Sequence, residues 1–82
     1  MGNYKLQSVL LNRNRFTHAQ ALKYLALHSL RILKVDMGPD WFHFRQESPQ
    51  KLKKEGYTRF RVITIIPDEV EYIVAYKGNA VP

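Results

Sequence analysis

Eighty-two residues, 45% of them apolar and 24% charged, make one small globular domain (residues 1–82) with a modest core, and exclude a disordered chain. With no cysteine there is no disulfide framework and no thiolate metal site, and no apolar run approaches the ~20 residues of a membrane helix. The net charge of +6 is unevenly spread: residues 1–35 hold Lys5, Arg13, Arg15, Lys23, Arg31 and Lys34 and no acid, whereas from Pro67 onward Asp68, Glu69 and Glu71 face Lys77 alone. Such asymmetry favours a polyanionic or acidic partner.

Tyr4 to Leu11 reads as a first strand, with Tyr4, Leu6, Ser8 and Leu10 alternating with Lys5, Gln7, Val9 and Leu11. Asn12-Arg13-Asn14-Arg15 is a turn. Thr17 then offers an N-cap, Gln20 completes a capping box, and Phe16 stands where a hydrophobic staple would reach Ala21. Leu22, Leu25, Ala26 and Leu30 repeat near helical spacing, which predicts a helix over about 18–29. Leu30 to Asp36 reads as a helix end followed by a second strand. Met37-Gly38-Pro39-Asp40 is a turn, and Trp41 to Gln46 a third strand, so the pair forms a hairpin.

Residues 47–57 read as the longest loop and the mobile part of the molecule, with Pro49 and Gly56 bracketing Lys51, Lys53 and Lys54. Thr58 to Ile66 is the fourth strand and Val70 to Lys77 the fifth, joined by a turn centred on Pro67 and Asp68. Residues 78–82 are expected to fray. The fold class is therefore α+β: one helix on a mainly antiparallel sheet of about five strands, in the order β-α-β-β-β-β.

Two stretches carry the functional signal, Trp41-Phe42-His43-Phe44-Arg45-Gln46 and Thr58-Arg59-Phe60-Arg61-Val62. Strand side chains alternate between faces. In phase, Phe42, Phe44, Phe60 and Val62 would line a core face, and Trp41, His43, Arg45, Arg59 and Arg61 the opposite one. A two-residue turn in the last hairpin would set Arg59 opposite Tyr76, Arg61 opposite Val74 and Ile63 opposite Tyr72. Guanidinium groups beside rings are how single-stranded nucleic acid is held, by stacking and phosphate contact. The candidate binding residues are thus Trp41, His43, Arg45, Arg59, Arg61, Tyr72 and Tyr76, supported by Lys51, Lys53 and Lys54. Ile63, Ile65, Val70 and Val74 share the arginine face in this register, and so many aliphatics look more like core or a protein contact.

Catalytic and metal signals are weak. His18 and His28 are too far apart for the helical zinc pair, and their roles read as structural. Ser8, Ser29 and Ser48 lack nucleophile-elbow glycines, and there is no glycine-rich phosphate loop. Turn and cap roles account for Asp36 and Asp40. No catalytic residue, metal ligand or cofactor is assigned.

Phe16-Thr17, the Ala21-Leu22 helix, Lys34-Val35-Asp36, Trp41 to Gln46 followed by Pro49, Tyr57-Thr58-Arg59 and the closing Val70–Gly78 segment form an ordered set. Over about residues 6–78 the chain resembles small uncharacterised α+β proteins of bacteriophages and large DNA viruses. It departs from them in having His43 where a basic residue is expected, and in an unusually apolar last hairpin. The resemblance implies a viral origin and a compact α+β domain, and implies no activity, so no catalytic residue carries over.

The combined expectation is a small, non-enzymatic, intracellular accessory protein (host cytoplasm or virion, if viral) that binds DNA or RNA through a basic aromatic sheet face. The alternative is a protein-interaction module, a virion component or inhibitor docking on an acidic protein surface or forming a homodimer. An enzyme ranks a distant third.

Overall fold

The computed structural model describes residues 4–78, so residues 79–82 of the expected frayed tail lie outside the described residues. Seven elements follow in the order β1 (Tyr4–Asn12), α1 (His18–Leu27), β2 (Lys34–Met37), β3 (Trp41–Arg45), α2 (Pro49–Lys54), β4 (Tyr57–Ile66) and β5 (Val70–Lys77). The strands form one antiparallel sheet, ordered β2-β3-β1-β5-β4. The fold is α+β, as the alternation implies, with a second helix where a loop was expected.

The α1 helix starts as its sequence dictates. The Thr17 hydroxyl accepts from the Gln20 amide at 3.2 Å, and the Gln20 side chain accepts from the Thr17 amide at 2.9 Å. Its inner stripe, Ala21 and Leu25, is buried against Val9 and Leu11 of β1, Phe42 and Phe44 of β3, and Val70 of β5. A fully buried side chain of Leu or Phe size contributes about 1.5–3 kcal/mol by removal from water, so this cluster is the main source of stability. Gln7 is the extra residue of a bulge, where the β1–β5 register steps from Leu6–Val74 to Ser8–Ile73. The step moves Leu6 onto the same face as Val9 and Leu11, where it packs against the core. Simple alternation from Tyr4 misses that.

The α2 helix begins at Ser48, which caps the Lys51 amide, and Pro49 occupies the first turn. Ser-Pro is a start signal as well as a loop signal, and the expected loop at 47–57 is therefore helical over its centre. Gly56, at φ +93°, lets the chain leave α2 and enter β4.

The two helices lie on opposite faces. Leu52 of α2 is buried with Tyr57 and Ala75. Ala75 pairs with Lys5 and Phe60, on the sheet face away from Val70 and Tyr72. Cross-strand partners share a face. The α1 face of β4 thus carries Arg59, Arg61 and Ile63, opposite Tyr76, Val74 and Tyr72, as the two-residue turn implies. Phe60 and Val62 occupy the reverse face with Trp41, His43 and Arg45. The two alternating stretches are therefore out of phase, and the expectation that Phe60 and Val62 join Phe42 and Phe44 in the core is overturned. The cause is the core itself: Val70 and Tyr72 fix the phase of β5, and pairing transmits it to β4.

Candidate nucleic-acid interface

Because β4 is out of phase with β3, no single sheet face collects all the expected binding residues. Trp41, His43 and Arg45 lie on the reverse face, whereas Arg59, Arg61, Tyr72 and Tyr76 lie on the α1 face. Tyr72 belongs to the core edge: it packs against the main cluster and its hydroxyl is 3.2 Å from that of Tyr24. Burial and that hydrogen bond hold the Tyr24 phenol well above its ordinary range. Trp41 stands opposite Asn12, at the far end of β1 from Tyr4.

The charges sort along the strands instead of across the sheet. Strand pairing brings Lys5, Lys77, Tyr57 and Arg59 to one end. Arg45 closes β3 on the same side and leads through Gln46 to Ser48 into α2, whose Lys51, Lys53 and Lys54 are exposed because Leu52 is the residue turned inward. The Tyr57 ring lies between the Lys5 and Lys77 ammonium groups, at 5.4 and 5.2 Å from its centroid. Tyr4 stacks on Tyr76 at 5.9 Å and is half exposed, with Arg59 as the next cross-strand neighbour.

The acids at this end are engaged. Glu55 accepts from Lys5 at 3.0 Å, and Glu47 lies 3.2 Å from Arg31 and 3.8 Å from Lys51. The hydrogen bond raises the Lys5 pKa and lowers that of Glu55, so both charges are favoured. At the opposite end Asp40, Asp68 and Glu69 sit in turns, with Asp36 and Glu71 close by. Arg13, Arg15 and Lys23 are basic residues there; Arg13 is held by the Gly38 carbonyl and the Phe42 ring, and Arg15 and Lys23 line a hollow with Glu69.

Gln46 supports this end from beneath. It is buried, its side chain accepts from the Arg31 amide and donates to the Arg31 carbonyl, and its own carbonyl accepts from the Arg31 guanidinium at 2.7 Å. That exchange ties the chain after α1 to the end of β3. An open hollow of about 390 Å³ lies alongside, between Lys5, Ser29, Arg31 and Glu47.

The structure thus gathers Arg45, Lys51, Lys53, Lys54, Arg59 and Tyr76 toward one end, sets Arg61 in the middle of β4, and leaves Trp41, His43 and Tyr72 out. Sequence reasoning missed Tyr4, Lys5, Tyr57 and Lys77. The β1–β5 and β4–β5 pairings that unite them were the missing signal, since each lies at or next to a strand end. Among the described residues no helix is long and apolar enough to cross a membrane. No known protein family, curated protein or solved structure matches the chain, so its surface chemistry is the guide to what it binds.

Proposed function

We infer that the protein is a non-enzymatic accessory protein, of the viral kind its sequence resembles, which binds single-stranded nucleic acid with the basic end of its sheet. The observation that carries this reading is the separation of charge along the strands. Cations from four strands and α2 converge where the acids are already paired, and the exposed Tyr4 ring, stacked on a half-buried Tyr76, stands among them. Phosphates would meet Lys51, Lys53, Lys54, Arg59 and Arg61, and bases would stack on Tyr4 and Tyr76.

The test is a salt-titrated binding assay with fluorescent single-stranded DNA and RNA oligonucleotides. Affinity is expected to fall linearly with salt on a log–log plot. A Lys51→Ala, Lys53→Ala, Lys54→Ala variant should flatten the slope by about 0.7 for each phosphate it no longer neutralises. Trp41→Phe and His43→Ala, away from the basic end, should leave it unchanged. Absence of binding at low salt, or an equal loss on replacing Arg13 and Arg15 at the other end, would overturn the reading. The protein-interaction reading is favoured by a different observation, the open edge of β4.

A further inference from the structure

β4 is a ten-residue edge strand on which Thr58 through Ile66 are all exposed. Phe60, Val62, Ile63, Ile65 and Ile66 are each 38–60% exposed. Between its two register shifts, from Arg59 to Thr64, the strand is regular and holds no Pro, Gly or Lys. Natural edges are usually blunted by Pro, by charged side chains and lysine above all, by bulges, by shortness or by cover, because an open edge presents unpaired amide and carbonyl groups; of these devices β4 has two arginines and a register shift near each end. The opposite edge follows that rule: β2 has four residues, with Lys34 and Asp36 among them.

We propose that the β4 edge pairs antiparallel with β4 of a second copy of this chain, about a twofold axis through Val62, to form a continuous ten-stranded sheet. Two observations select this occupant. The first is charge complementarity. Each copy has a basic end near Tyr57, Arg59 and the α2 lysines, and an acidic tip at Asp68 and Glu69. An antiparallel pair lays the tip of one copy beside the basic end of the other, whereas a parallel pair would set like charges together. The second is register. A twofold normal to the sheet pairs residues of the same face, so the centre falls on one residue. Centred on Arg61, the strands would oppose arginine to arginine, which is destabilising. Centred on Val62, they oppose Val62 to Val62, Arg61 to Ile63 and Phe60 to Thr64, with β-branched partners throughout the middle and no like charges face to face.

Main-chain hydrogen bonding supplies the affinity in such strand addition, and alternate side chains the specificity. Both α1 helices then lie on one side of the joint sheet. The two basic ends fall at its opposite ends, and Arg59 and Arg61 lie on the paired edge, so the second copy borders the surface read as binding nucleic acid.

The experiment is sedimentation equilibrium over a micromolar concentration series, paired with cysteine cross-linking in a chain that has no cysteine of its own. The wild type should be dimeric. Val62→Lys, at an exposed position, should keep the far-UV spectrum and melting temperature of the monomer fold and weaken the dimer at least about tenfold, since it sets two lysines opposite each other. Val62→Cys should oxidise to a covalent dimer faster than Arg59→Cys, because directly opposed Cβ atoms come within about 4.5–5.5 Å, near the reach of a disulfide. A wild type that stays monomeric throughout the series would overturn the proposal, as would faster cross-linking from position 59 than from position 62. Unchanged oligonucleotide binding by Val62→Lys would show that the pairing and the basic-end reading stand or fall separately.

Discussion

β3 and β4 carry similar alternations of aromatic and basic residues, yet their phenylalanines have opposite fates. Phe44 is fully buried and Phe42 is 4% exposed, whereas Phe60 is 40% exposed. The strands differ in position more than in composition. β3 lies between β2 and β1, and α1 packs over its Phe42 and Phe44 face. β4 has a neighbour on one side only, and its one buried residue is Tyr57, which packs with Leu52 of α2. An aromatic side chain on a strand is thus core or contact surface according to what the topology sets above and beside it. The sharpest way to break this comparison is to truncate both rings. Phe44→Ala should cost about 3–5 kcal/mol, since it opens a cavity beneath α1. Phe60→Ala should cost less than about 1 kcal/mol, because most of that ring's surroundings are already water. Urea denaturation of the two variants under dimer-breaking conditions measures both. Equal losses would mean that β4 is as much a part of the core as β3.

A smaller effect tests the end of β3. Gln46 replaces, with side-chain groups, the hydrogen bonds that the Arg31 amide and carbonyl would otherwise lack. Gln46→Ala should destabilise the fold by about 1–3 kcal/mol, the cost of leaving such groups unsatisfied. No residue in the middle of β4 has a comparable task, so Thr64→Ala should stay within about 0.5 kcal/mol. Hydrogen exchange at Arg31 and Leu33 gives a local readout: the Gln46 variant should lose protection there and keep it in β5.

Much of the fold was legible in the residues. The Thr17–Gln20 capping box announces α1, and Pro67-Asp68 fixes the last hairpin closely enough that Arg59 meets Tyr76. Two features were not. The Gln7 bulge shifts Leu6 into the core, and no local pattern announces it. The relative phase of β3 and β4 also escapes, because alternation gives a period and not an absolute face. The candidate site inherits that gap. Lys51, Lys53 and Lys54 stand out as a run and Tyr57 follows them closely in the chain, but Tyr4, Lys5 and Lys77 join them only through pairing among β1, β5 and β4. That is a long-range fact, and one strand's sequence does not contain it.

The gentlest probe of the covered half is pH. Tyr24 of α1 and Tyr72 of β5 share a hydrogen bond under the helix, and burial together with that bond raises the Tyr24 pKa. In the unfolded chain a tyrosine ionises near pH 10. A group whose pKa is raised by folding stabilises the native state fully below the unfolded value, and that stabilisation fades as pH rises toward the folded one. Wild-type stability should therefore decline above about pH 10 through this phenol. Tyr24→Phe should lose about 0.5–1.5 kcal/mol at neutral pH with the hydrogen bond, and its stability should then fall less steeply in alkali. The two curves converge as pH rises, because the ionisation that penalises the wild type has no counterpart in the variant. Parallel curves from pH 7 to pH 11 would show that Tyr24 is not held neutral by its place between α1 and β5, and that the two halves of the sheet differ less than their burial indicates.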